Sequence, residues 1–129
     1  MSQLDFADDV IARIRDRAGP FDMRAYLFVL ASLERLQGRL AERRHVTGDE
    51  LARACRDFAL EQYGLLSRTV LEHWGVRTTD DIGRMVFTLI DVGLLKAQDT
   101  DRMEDFRSVF AFAEAFESDY PWGAWRDDP

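Results

Sequence analysis

The chain is poor in the residues that usually announce chemistry. Cys55 is its only cysteine, which excludes an intramolecular disulfide and a cysteine-based zinc cluster. Its two histidines, His45 and His73, stand near no serine, cysteine and acid in a recognisable nucleophile arrangement. Lysine is nearly missing as well: Lys96 is the single lysine among the 17 basic residues, and the bias toward arginine reads as coding preference before function. No apolar run approaches the roughly 18 residues of a membrane span. The acidic start, Met1 to Asp9, lacks the basic segment and apolar run of a signal peptide, so the expected location is cytoplasmic.

What the chain does have is enough apolar material for one core. With 47% hydrophobic residues in 129, a single compact domain is expected and a multi-domain enzyme is excluded. The formal charge of -7 weakens a default reading as a sequence-independent nucleic-acid binder. That charge is unevenly spread. Residues 97–129 hold 9 acids and 3 bases, whereas residues 25–64 hold 6 of each.

Periodicity and caps predict a mainly helical domain over 1–118. Leu4, Ala7, Val10, Ile11, Ile14 and Ala18 share one helical stripe, ended by Gly19-Pro20. A second helix is predicted to start after Asp22 and carry Tyr26, Leu27, Leu30, Leu33, Leu36 and Leu40, fraying near Arg43-Arg44-His45. Thr47 and Glu50 have capping-box spacing, with Val46 and Leu51 as a hydrophobic staple, ahead of a helix closed by Gly64. A short helix with Leu66, Val70, Leu71 and Trp74 ends at Gly75. Thr78 and Asp81 cap a further one that Gly93-Leu94 terminates.

Beyond Gly93 two readings compete. Leu94-Leu95-Lys96 and Phe106 to Phe112 suit a two-stranded hairpin with a long polar tip, closed by a helical turn from Ala113 to Ser118. Met103, Phe106, Val109, Phe110, Ala113 and Phe116 also have helical spacing. The expected fold is therefore two N-terminal helices plus a winged-helix-like three-helix unit with a small β-hairpin, with an all-α bundle as the alternative. Residues 119–129 form an aromatic and acidic C-terminal tail.

Several segments resemble an uncharacterised bacterial family of small proteins, the Minf-type family. They are Ala25-Tyr26-Leu27-Phe28-Val29-Leu30, His45-Val46 through Glu50-Leu51, Val70-Leu71-Glu72-His73-Trp74-Gly75, Val86-Phe87, Gly93-Leu94-Leu95, Asp105-Phe106, and Phe110 to Phe116. The likeness spans roughly residues 20 to 118, with one departure at Ala111, where an acid is the expected residue. It implies a shared fold and brings no catalytic residue, cofactor or activity.

Four constellations could carry function. Arg35, Arg39, Arg43 and Arg44, with Arg53 and Arg56 on the next helix, make an anion or nucleic-acid face, but Glu34, Glu42, Asp49, Glu50 and Asp57 are interleaved and favour a salt-bridged solvated surface. A winged helix most often reads DNA with its third helix, yet here that helix opens with Thr79-Asp80-Asp81 and the wing tip is acidic. Asp99, Asp101, Glu104 and Asp105 lack the central glycine of a calcium loop and read as a solvated acidic segment. Tyr120, Trp122 and Trp125 either fold back on the core or dock a partner as aromatic anchors.

No catalytic set, metal site or cofactor is expected. The sequence thus points first to a non-enzymatic interaction or regulatory module that binds another protein. An RNA-, ribonucleoprotein- or DNA-associated factor using the arginine face is the alternative, and an enzyme acting through His45 or His73 comes third.

Overall fold

The computed structural model describes residues 12–17, 19–96 and 101–118. The first six are helical (α1, residues 12–17), and Ile14 is buried in the core. The rest of the predicted first helix and the aromatic tail lie outside the described residues. Four further helices follow: α2 Met23–Arg39, α3 Gly48–Tyr63, α4 Ser67–His73 and α5 Thr79–Asp91. No helix is long and apolar enough to cross a membrane among the described residues.

The caps explain these boundaries. Asp22 accepts from the Arg24 amide at 2.8 Å to start α2. The capping boxes predicted at Thr47/Glu50 and Thr78/Asp81 are both closed in each direction. The ends of α4 and α5 are paired Schellman closures: Gly75 and Val76 donate to Glu72 and Leu71, and Gly93 and Leu94 donate to Ile90 and Leu89. Gly75 is required twice over, because its φ is +93° and a Cβ would lie 2.6 Å from the Pro20 carbonyl oxygen. At the same corner the Asp22 amide donates to the Trp74 carbonyl at 2.9 Å, locking the start of α2 to the end of α4.

α2 ends earlier than its leucine spacing suggests, at Arg39, with Leu40 extended. The core beneath is continuous. Tyr26 and Val29 of α2, Leu51 and Cys55 of α3, Leu71 of α4, and Ile82, Met85 and Leu89 of α5 are all nearly inaccessible. Burial of so many apolar side chains, at about 1.5–3 kcal/mol each, is the main force holding the helices together.

The β-hairpin expected after Gly93 is not found: no strand occurs among the described residues. The expected tip ends in a 3₁₀ turn, Met103–Phe106, the expected second arm runs as turns and irregular chain over 107–111, and a final helical segment from Phe112 continues as the π-helical turn Glu114–Ser118. The cause is local. Thr79, the buried first residue of α5, donates its hydroxyl to the Phe106 carbonyl at 2.6 Å and accepts from the Val109 amide at 3.1 Å. Asp80 accepts from the Ser108 amide at 3.2 Å. These bonds use the backbone groups a strand would need for its ladder, and Ser108 has a φ of 51°, which a strand does not accommodate. The continuous helix that was the other reading is broken at the same place. The molecule is mainly α, and among the described residues neither the expected winged-helix-like unit nor its hairpin is supported.

Candidate functional site

The arginine face is assembled on α2, the loop after it, and α3, and every member of it is matched to an acid. Arg35 and Arg39 both reach Glu61, Arg39 at 3.1 Å. Arg43 pairs with Glu34 at 2.6 Å and Arg44 with Glu50 at 2.7 Å. Arg53 pairs with Asp49 and Arg56 with Asp57. Arg35 also lies over the Phe58 ring and Arg56 over Phe110. The Arg44 side chain and the Thr47 amide together hold the Glu50 carboxyl down at about 2. An arginine fully engaged by carboxylate offers less to a phosphate, since the acid must be displaced first.

Beside the arginine face, where Arg35 lies over Phe58, aromatic side chains form a shallow groove. Phe28 of α2 stacks on Phe58 of α3, with centroids 5.4 Å apart, and contacts Trp74 at 5.8 Å. Trp74 meets Tyr63 edge-on at 5.8 Å. Leu27, Ala31 and Gln62 line it too, and Arg24, whose guanidinium is 6.0 Å from the Trp74 ring, is the one charged residue of the lining among the described residues. Arg24 is itself held by Asp22, whose carboxyl it keeps at about 2 through a side-chain hydrogen bond and the backbone amide. Leu27 is 50% exposed. Leu65 and Leu66, after Gly64 in the 3₁₀ turn that follows α3, are 64% and 62% exposed.

The two histidines part company. His73 is exposed on the last turn of α4. His45 donates through Nε2 to Asp101 Oδ1 at 2.9 Å and lines a cleft of about 160 Å³ between α2, α3, α5 and the Met103–Phe106 turn. Leu33, Leu51, Val86, Phe87, Ile90 and Phe106 supply its apolar walls, while Lys96, Asp101 and Asp105 stand at it with His45. The 56-residue separation of His45 and Asp101 hid this pair from sequence reasoning. Thr47, the hydroxyl nearest to a nucleophile in this cleft, accepts from the Glu50 amide as a helix cap.

Cys55 is buried on α3, and burial pushes its thiol up to about 12, as an inert core residue requires. Among the described residues no three His, Cys, Asp or Glu side chains are grouped to hold a metal ion. Of the other predicted site residues, Tyr120, Trp122 and Trp125 lie outside the described residues. Compared with family models, curated proteins and solved structures, the chain matches none.

Proposed function

We propose that this protein is a non-enzymatic interaction module that docks an amphipathic helix of a partner protein into the groove between α2, α3 and the end of α4. The observation that carries this reading is the groove itself. Phe28, Phe58, Tyr63 and Trp74 make an aromatic floor held by mutual ring contacts, and the half-exposed Leu27 adds apolar surface to the lining. Rings held by mutual contact lose little entropy on binding, so leucine or aromatic anchors of an incoming helix gain burial at low ordering cost. A shallow, open surface of this kind suits a helix better than a small molecule, most of which it would leave in water.

The paired arginines support this reading over a nucleic-acid factor. Counterion release favours binding only when free cations meet phosphate, and Arg35, Arg39, Arg43, Arg44, Arg53 and Arg56 all already face carboxylates. The Minf-type resemblance adds a shared fold and no activity. A cytoplasmic setting is part of the proposal.

The test is affinity capture with the wild-type chain, Leu27→Asp and an Arg39, Arg43, Arg44 triple change to glutamate, in parallel. A protein held by the wild type and by the triple variant, but lost with Leu27→Asp at unchanged melting temperature, fits the groove reading. Capture that disappears with nuclease or with the triple variant would favour the arginine face instead.

A further inference from the structure

We infer that the aromatic groove selects an acidic amphipathic helix, whose apolar anchors are flanked at one end by a glutamate or aspartate that meets Arg24. The inference rests on the docking reading above and names the chemistry of the segment that fits there.

Arg24 stands where the groove begins. It is the first of the α2 residues lining it, ahead of Leu27, Phe28 and Ala31, and at a rise of about 1.5 Å per residue these four cover roughly 10 Å of helix. Its guanidinium is 6.0 Å from the Trp74 ring, and its side chain is 61% exposed.

The pair that Arg24 makes with Asp22 is balanced in charge but unbalanced in hydrogen bonding. Nε and Nη2 donate to Asp22 Oδ1 and Oδ2, each at 3.0 Å, and the Arg24 amide adds a bond to Oδ1 at 2.8 Å. A carboxylate has about four acceptor positions, so these three bonds bring Asp22 close to saturation. A guanidinium has about five N–H donors in a fixed fork, and only two are used here. Nη1 has no partner among the described residues. Asp22 is also the less exposed of the two and is not part of the groove lining. The mouth of the groove therefore has donors to give and few acceptors to offer. A carboxylate arriving there gains a charge-assisted bond, whereas an ammonium must compete for an acid already engaged.

The distances suit a helix. Side chains three or four residues apart on one helix have Cβ atoms about 5–6 Å apart, close to the separation of the Arg24 guanidinium from the Trp74 ring. An anchor packed on Trp74 thus brings a carboxylate one turn away to Arg24. Because Arg24 is at the end of the α2 lining, that acid falls outside the run of anchors.

Fluorescence anisotropy with synthetic probes tests this. The probes are alanine-based helical peptides of roughly 20 residues, with leucines on one face at i, i+4 and i+7 spacing. Each carries glutamate, glutamine or lysine one turn outside one end of the leucine run, with both ends tried. They are titrated with the full chain as wild type, Arg24→Gln and Leu27→Asp, with the melting temperature of each recorded. Arg24→Gln keeps the backbone amide that caps against Asp22, so the start of α2 is preserved.

A glutamate peptide should bind the wild type about three- to fivefold more tightly than its glutamine counterpart, the worth of one exposed charge pair, with lysine giving no gain. In Arg24→Gln the ratio of the two affinities should fall to about one, and Leu27→Asp should weaken every peptide. A glutamate advantage that is absent, matched by lysine, or still present in Arg24→Gln would overturn the inference; if binding is nevertheless lost with Leu27→Asp, the docking reading stands without it. No saturable binding of any peptide would overturn both.

Discussion

Phe106 and Gly83 touch so closely that a Cβ on Gly83 would lie 2.8 Å from both Cβ and Cγ of Phe106. The neighbouring atoms are the stem of a side chain buried on both sides, and a stem cannot swing away as a flexible tip can. Glycine in mid-helix ordinarily costs about 0.5–1 kcal/mol relative to alanine. Here the close approach reverses that preference. Gly83→Ala should destabilise the protein by about 1–2 kcal/mol, the overpacking cost less the regained helix propensity. Urea unfolding measures it, and a more stable Gly83→Ala protein would show that Phe106 is not held against α5.

Thr79 pins the same turn from below. Thr79→Val keeps the shape of the side chain and removes both the bond to the Phe106 carbonyl and the bond from the Val109 amide. A loss of about 1–3 kcal/mol is expected, because buried backbone groups are left without partners. Thr79→Ser should recover most of it. Equal stabilities for the valine variant and the wild type would contradict the account of why residues 103–109 are not a strand.

This turn also marks how far the sequence could be read. The helix starts at Asp22, Thr47 and Thr78 and the glycine-closed ends at Gly75 and Gly93 were legible, since each depends on residues within one turn of one another. The fate of residues 94–112 was not legible, because it is decided by a hydroxyl on Thr79 some 27 residues away from its carbonyl partner. Alternating and helical spacing were both present in Phe106, Val109, Phe110 and Phe112, and only the tertiary contact chooses neither. The arginine face was legible as an interleaved surface, but the reach of Glu61 to Arg35 and Arg39 was not. The His45–Asp101 cleft had no local signature at all.

Cys55 offers a clean readout of global opening. Its thiol is buried, and burial pushes its pKa up to about 12 from an ordinary 9.0. Alkylation of the folded protein at pH 8 should therefore be slow and should track denaturant concentration along the unfolding curve. Rapid modification without denaturant would show that α2 and α3 separate locally. The sign of the linkage also follows: the contribution of the protonated thiol is complete below pH 9 and is lost as pH rises toward 12.

On the acid side the relevant group is Glu50. Its carboxyl is held at about 2 against an ordinary 4.5, first by Arg44 and then by the Thr47 amide. A lowered folded pKa means the contribution is present above pH 4.5 and fades as pH falls toward 2. The side chain is 34% exposed, so solvent screening keeps the effect modest, below about 1 kcal/mol. Glu50→Gln preserves the capping box while removing the charge. The wild type should lose more stability than this variant between pH 5 and pH 2, and superimposable acid limbs would contradict the assignment.

The central claim is that the aromatic groove, and no arginine surface, is what this protein presents to its partner. The most direct measurement compares, by quantitative mass spectrometry, what the wild type and Leu27→Asp retain from the same extract at low and high salt after nuclease treatment. The account predicts a protein retained by the wild type at both salt concentrations and absent with Leu27→Asp, the melting temperature of the variant being unchanged. Identical retention by the two, or retention that disappears with nuclease or salt, would contradict it.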